Sequence, residues 1–393
     1  MWIFPRPLDQ LTEADLAALI TNQVRESVTL DYKRQMYGTS QTEIKKMHRD
    51  VAALANAQGG VLILGMDEDN HAVASTLVPV PNAEAEANRL IASCNASIAE
   101  RIPGLRAVRV PVQGASVIVV QIPRSYRQPH MITFDGKTDF WIRHDRQNSR
   151  MSIAELRTAL RATEDLAMKA EAFLEQRRQL WAPRRPLVLT LTATPLLLED
   201  GRVDISDPGI AALLQAPPAL RLGNSELTYR TSVVAPTVRG IASVKDQLTR
   251  LELFRNGHVE FVCLDASLFT DTTRGADARD ILGWAVAEYV WNFLLLLGRL
   301  RQTASIVDPY LVGLAIWRCA GYSLWERGRG RFGTGNKAVW NEANDLVLDP
   351  VVSAQEAEQN ATAKRIADRF WNAFGFMRCP FFEDGGQLQL RTE

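Results

Sequence analysis

The stretch NQVRESVTLDYKRQMYGTSQTEIKKMHRDVAALANAQGGVLILGMDEDN, residues 22–70, decides the fold. Residues 28–32 alternate, with Val28, Leu30 and Tyr32 on one side and Thr29, Asp31 and Lys33 on the other, the period of a half-buried strand. From about residue 42 to 58, Ile44, Met47, Val51, Leu54 and Ala55 recur at helical spacing, with Lys45, Lys46 and Arg49 on the wet side. Gly59-Gly60 stops this helix, because glycine takes the left-handed capping conformation without a Cβ penalty. Residues 61–66 then read as a buried strand that ends in the acidic step Asp67-Glu68-Asp69.

Upstream, residues 8–22 form an expected helix with Leu11, Leu16, Leu19 and Ile20 inward. Downstream, the spacing predicts a helix over 83–101, stopped by Pro103-Gly104, and strands at 107–112, 117–122 and 140–143. Residues 124–136 read as a loop. Ser152 and Glu155 form a capping box for a helix that runs to about residue 162. Residues 163–181 continue as helix, and Pro183-Arg184-Arg185-Pro186 marks the expected boundary. Beyond it come β signals at 187–198, 227–234 and 258–264, then predicted helices at 276–301, 309–325 and 362–374. A glycine-rich insert, GRGRFGTGNKAVWN (328–341), lies between the last two. The expected organisation is an N-terminal α/β (α+β) domain over 1–162, a connecting helix over 163–182, and a second α+β domain over 183–393 with strands first and helices after.

The 393 residues carry 45 Lys and Arg against 45 Asp and Glu. With no net charge, any anionic partner must be held by a local patch and not by the field of the whole molecule. The four cysteines, Cys94, Cys263, Cys319 and Cys379, show no metal spacing and read as reduced intracellular thiols. No secretory signal is expected in residues 1–7. Residues 281–298, ILGWAVAEYVWNFLLLLG, approach membrane-spanning length, but Glu288 lies near their centre, so a buried helix is expected and a cytoplasmic protein with it. Trp284, Trp291, Phe293, Trp317 and Trp325 read as core or as the face of a homo-oligomer.

Four features in order carry a resemblance: Glu26, Asp31 and Lys33 as E-x4-[D/E]-x-K; Ala53, Ala55, Asn56, Gly59 and Gly60 as A-x-A-N-x-x-GG; Gly65, Asp67 and Glu68 closing the strand; and a β-turn-β-helix tail over 117–160. Together they resemble the Schlafen AlbA-like domain, over roughly residues 10–162. The resemblance implies a metal-dependent endoribonuclease acting on a structured RNA such as tRNA, in bacterial stress or phage defence. The alternative is a non-catalytic nucleic-acid-binding, or nucleotide-sensing, regulator on the same domain.

By the resemblance, Glu26, Asp31 and Glu68 are the catalytic acids and, with Asp67, the ligands of Mg²⁺ or Mn²⁺, hard cations that favour carboxylate oxygens. Read without it, acids beside strands are solvated edge residues. Parity also puts Glu26 and Asp31 on opposite faces of an ideal strand, so Glu26 has to lie before the strand or beyond a bulge. Lys33 is either the ion-pair partner of Asp31 or a phosphate contact. Between residues 124 and 150, six cations (Arg124, Arg127, Lys137, Arg143, Arg146, Arg150) interleave with Tyr126, Phe134, Phe140 and Trp141. Phosphate pairing and base stacking suit such a mixture to RNA; as an ordinary strand, it would leave Trp141 and Arg143 in water. His130 matches a family position. Gly59-Gly60 caps a helix and is no phosphate cradle, since it sits at the negative end of the dipole.

Overall fold

The computed structural model describes residues 3–4, 6–112, 114–181, 187–198, 201–219, 225–228, 232–246, 248–271, 279–304, 306, 308–325, 339–353, 359–383 and 386–389. The expected boundary at 183–186 and the insert over 328–338 lie outside the described residues. The chain divides into two compact units, residues 1–166 and 167–393.

The first unit runs α1 (Glu13–Thr21), β1 (Leu30–Lys33), α2 (Gln41–Asn56), β2 (Gly60–Leu64), β3 (Met66–Glu68), β4 (Ala74–Leu77), α3 (Ala83–Ser97), β5 (Ile98–Ala99), β6 (Arg106–Val112), β7 (Ala115–Ile122), β8 (Met131–Phe134), β9 (Lys137–His144), β10 (Gln147–Arg150) and the start of α4 (Ile153–Gln179). Its main sheet has the order β1-β2-β7-β6, with β1 and β2 parallel and the other pairs antiparallel. β2 is buried on both faces, which is why GVLIL reads as one unbroken apolar run. Leu62 and Leu64 pack with Met47, Val51 and Leu54 of α2 and with Leu90 and Cys94 of α3. Val61 and Ile63 face the other way, onto Leu11, Leu16 and Leu19. A second sheet, β10-β9-β8-β5, contains the expected strand at 140–143 within β9, while β8 lies in the stretch 124–136 expected to be loop.

Both ends of α2 are fixed locally. Ser40 Oγ accepts the Glu43 N–H at 3.3 Å, an N-cap worth about 1 kcal/mol. At the other end the Gly59 N–H reaches Leu54 C=O at 2.9 Å, and Gly59 has φ +70°. A Cβ on Gly60 would stand 2.2 Å from Thr29 O, so glycine is needed for β1 to lie against the start of β2. The strand expected over 61–66 breaks at Gly65, and β3 leaves to pair with β4 in a sheet of its own. Asp67 and Glu68 therefore sit on a hairpin and not at the end of β2. Ser152 and Glu155 form the expected capping box, with Ser152 N–H donating to Glu155 Oε2 at 2.7 Å and Glu155 N–H to Ser152 Oγ at 3.2 Å.

The second unit continues α4 and adds β11 (Val188–Pro195), α5 (Pro208–Gln215), β12 (Val233–Pro236), β13 (Gly240–Lys245), β14 (Thr249–Phe254), β15 (Val259–Cys263), β16 (Asp280–Leu282), α6 (Gly283–Thr303), β17 (Tyr310–Trp317), β18 (Ser323–Trp325), β19 (Leu346–Val347), β20 (Val351–Ser353) and α7 (Gln359–Asn372). Its antiparallel sheet has the order β12-β13-β14-β15-β11-β17-β19, with β20 also on β17. α5, α6 and α7 pack into one core with the sheet. The α+β class holds, but residues 309–325 are not a helix. YLVGLAIW is a strand paired with β11 on one side and with β19 and β20 on the other. Buried on both faces, it shows no alternation, and an apolar run of that length does not separate strand from helix. α6 is the expected buried helix; Trp291, Phe293 and Trp317 are core side chains, and Trp284 packs against the same core. Among the described residues no helix is long and apolar enough to cross a membrane.

Candidate functional site

β1 is preceded by a turn in which Ser27 and Leu30 exchange backbone hydrogen bonds of 3.0 and 3.4 Å. The turn folds Glu26 back along the strand, so that its Oε1 accepts the Tyr32 N–H at 2.6 Å. Glu26 thus lies before the strand, which lifts the parity conflict and brings its carboxyl beside that of Asp31. The turn is pinned from β9: Arg143 donates from Nε to Ser27 O at 2.9 Å and from Nη2 to Leu30 O at 3.2 Å. The same guanidinium stands 3.0 Å from Asp31 Oδ1 and 3.8 Å from Glu26 Oε2. Lys33 Nζ meets the other Asp31 oxygen at 2.6 Å.

A third carboxylate joins from α2. Asp50 accepts the Tyr37 hydroxyl and the Asn148 amide, each at 2.8 Å, and is buried. The sequence did carry a signal for it, since Asp50 falls on the apolar stripe between Met47, Val51 and Leu54, where a carboxylate needs a partner. The electrostatics follow from crowding. Burial, with the Asp31 carboxylate beside it, pushes Glu26 up to about 7. Burial likewise holds Asp50 above the ordinary carboxylate range, against the pull of Lys33. For Lys33 burial opposes the charge, but Asp31, Asp50 and Glu26 outweigh it and hold the ammonium above the usual lysine range.

Glu68 is exposed on its hairpin and is raised by desolvation, with Lys33 acting against that rise. Asp67 Oδ2 is taken by Arg34 Nη1 at 2.6 Å. Glu26 and Asp31 are thus brought together, while Asp67 faces an arginine of its own. Among the described residues no group of three or more His, Cys, Asp or Glu side chains is placed to hold a metal ion. Both Asp31 oxygens already face cations, and the Glu26 carboxyl, raised to about 7, holds a proton at neutral pH that a metal ligand would have to give up. This arrangement of Glu26, Asp31, Asp67 and Glu68 does not fit the expected Mg²⁺ or Mn²⁺ site.

The expected RNA contacts separate into two groups. Arg124, Arg127, Lys137 and Arg146 are exposed. Arg127 stacks over Tyr126 at 5.4 Å and lies 3.5 Å from Glu100. Lys33 is largely enclosed by the acids. Arg143 does not point to water as a plain strand reading implies: it is 3% exposed, with its donors on β1. His130 is fully buried, Nδ1 lying 2.6 Å from Glu100 O, and burial lowers its basicity. Its backbone is held by Asn56, which accepts the His130 N–H at 2.7 Å and donates to His130 O and Trp141 O, each at 2.9 Å. The Asn of the A-x-A-N motif is therefore a clamp from the end of α2 onto β8 and β9.

Those clamped strands present a surface on which Trp141 and Arg150, both in the stretch expected to suit RNA, meet two cations of α2 that the sequence reading left as its wet side. Trp141 has the Arg49 guanidinium 4.9 Å from its ring centre and that of Arg150 at 5.9 Å. Asp139 links Lys45 at 3.4 Å and Arg150 at 3.3 Å on the same surface. The wet side of α2 and the pairing of Arg150 with Trp141 across β9 and β10 bring the cations together. Residues 26–152 match the Schlafen, AlbA_2 family model.

The AlbA_2 match spans the acids, the Asn56 clamp and the Trp141 surface, and it points to a nucleic-acid-related function. No family model matches the C-terminal region, and no curated protein matches the chain. Among solved structures, the chain is similar to the DIP2311 protein from Corynebacterium diphtheriae, at 18% identity and a TM-score of 0.27 over 38% of this chain. It spans 28% of that protein's length. It is also similar to the N-terminal domain of a RecG-related protein from Nitrosomonas europaea, at 19% identity and a TM-score of 0.27, over 37% of this chain and 94% of that one.

Proposed function

We propose that the AlbA_2 domain binds RNA on the surface around Trp141. The observation that supports this reading is the flanking of one indole by two guanidiniums, Arg49 at 4.9 Å and Arg150 at 5.9 Å, with Lys45 alongside. Unstacked bases lie on aromatic and guanidinium planes, and lysines and arginines pair with phosphates. Arg124, Arg127, Lys137 and Arg146 add exposed charge on the same domain. In this reading Glu26, Asp31, Lys33, Asp50 and Arg143 hold the domain together and the protein is a binding regulator.

A second reading is cleavage of a structured RNA such as tRNA. What favours it is the Glu26 carboxyl, which burial and the neighbouring Asp31 raise to about 7, in the range of a general acid or base. One experiment separates the two. The full chain is incubated with tRNA in Mg²⁺, in Mn²⁺ and in chelator, and both gel mobility and RNA length are followed. A shift with intact RNA under all three conditions supports the regulator. Shortening of the RNA that is lost in Glu26→Gln and Asp31→Asn supports the nuclease, and the chelator arm shows whether it needs a metal. Neither shift nor shortening contradicts both.

A further inference from the structure

The second unit holds a cavity of about 410 Å³ lined by Phe173, Gln176, Arg177, Leu180, Val238, Arg239, Phe254, Arg255 and Asn256. Three guanidiniums in one cavity need an explanation. Arg177 is neutralised: its Nε and Nη2 donate to the two oxygens of buried Glu260 at 3.0 and 2.8 Å, and its guanidinium lies 4.9 Å from the Phe254 ring centre. His258 stands behind it, fully buried, with Nδ1 2.9 Å from Thr194 Oγ1 and Phe173 edge-on at 5.0 Å. Arg239 and Arg255 are different. Both are exposed, and among the described residues neither has a carboxylate within 4.0 Å. Arg255 acts on Asp204 only from beyond that distance. Arg239 is also steered, its guanidinium 5.7 Å from the centre of Phe254. The hairpin that carries it is fixed: the Arg255 N–H donates to Arg239 O at 2.8 Å, and Thr237 bonds to Glu252 at 2.7 Å.

We propose that this cavity binds a nucleoside phosphate, with the phosphate on Arg239 and Arg255 and the base against Phe173, Leu180 and Val238. The chemistry is divided as such a ligand requires. Two exposed cations without a carboxylate in contact line it, together with a half-buried phenyl ring and exposed aliphatic side chains. A planar base lies favourably on apolar and guanidinium surfaces, and paired guanidiniums are the side chains best matched to phosphate oxygens. The volume is within the range of small-ligand sites. The Arg177–Glu260 pair makes the cavity floor rigid and electrically neutral, which leaves the ligand charge to the two outer arginines. This site is separate from the AlbA_2 surface and does not depend on RNA binding there.

The test is calorimetric titration of the full chain with adenosine 5′-monophosphate, inorganic phosphate and adenosine, for the wild type, Arg239→Ala/Arg255→Ala and Val238→Trp. All three altered positions are exposed, so the fold is expected to persist, and circular dichroism with a melting curve checks it. Saturable binding of the nucleotide is expected, weakened at least 10-fold by the double substitution and weakened also by Val238→Trp, which adds bulk at the exposed rim of the cavity. Phosphate alone should bind more weakly than the nucleotide and lose affinity in the double variant. Two results overturn the proposal: no saturable binding of the nucleotide by the wild type, or binding equal in wild type and both cavity variants. If only phosphate binds and adenosine adds no affinity, the nucleoside half of the proposal is wrong.

Discussion

The Arg143 guanidinium stands 3.0 Å from Asp31 Oδ1 while donating to Ser27 O and Leu30 O, so one side chain joins β9, β1 and the turn before it. It is 3% exposed and Asp31 is 2% exposed. A buried pair of this kind contributes little against an apolar replacement, yet loss of one partner is costly because the other charge is stranded.

Arg143→Ala is therefore expected to destabilise the protein by about 3–5 kcal/mol, measured by urea unfolding. Asp31 keeps Lys33 at 2.6 Å in that variant, so Arg143→Ala/Asp31→Asn should lose less than the sum of the two single losses without returning to wild-type stability. If the two losses simply add, the pair is not the source of the cost.

Glu26 gives the pH dependence its sign. Its carboxyl is raised by burial and by Asp31 from the ordinary 4.5 to about 7, so between those values the folded state keeps a proton that the unfolded chain has released. This contribution is fully present below about pH 4.5, falls as pH rises, and is gone above about 7. Gln at position 26 can still accept the Tyr32 N–H. Glu26→Gln should flatten the stability profile across that window and leave it unchanged at more acid pH. An identical slope in wild type and variant would show that Glu26 does not titrate there.

Asn56 is the other fixed point. Asn56→Ala would leave the buried His130 N–H and C=O, and the part-buried Trp141 C=O, without their side-chain partner. At 1–3 kcal/mol for an unsatisfied buried group, softened by relaxation, a loss of about 2–4 kcal/mol is expected in chemical denaturation. The Trp141 surface should loosen with it, seen as faster amide exchange in β8 and β9. A loss below about 0.5 kcal/mol would mean that the clamp is dispensable.

The elements legible in the sequence were those whose periodicity and end signals agree. α2 shows this well, with a clean apolar stripe, Ser40 at one end and Gly59-Gly60 at the other. What escaped has a physical reason in each case. Asp67 and Glu68 moved off β2 because Gly65 lets the chain turn away. YLVGLAIW gave no period because both its faces are buried. Arg143 looked solvent-facing by alternation along β9, but a long side chain can reach across to the carbonyls of a neighbouring strand. The Arg49–Trp141–Arg150 grouping joins residues about a hundred positions apart, and no local pattern reports such a contact. The Glu26–Asp31 pair was legible only as a condition, that Glu26 lie outside the strand, and the Ser27–Leu30 turn meets that condition.

The surface proposed to carry nucleic acid is the one around Trp141. That proposal is tested most directly by the salt dependence of RNA affinity, from fluorescence anisotropy with a labelled single-stranded or tRNA-derived probe. Wild type is compared with Lys45→Ala/Arg49→Ala/Arg150→Ala. If these cations pair with phosphates, the triple variant should bind at least 10-fold more weakly at low salt. The slope of log K against log salt should become shallower by about 2, at roughly 0.7 for each lost contact on a single strand. Equal affinity and an equal slope in the two proteins would contradict the account.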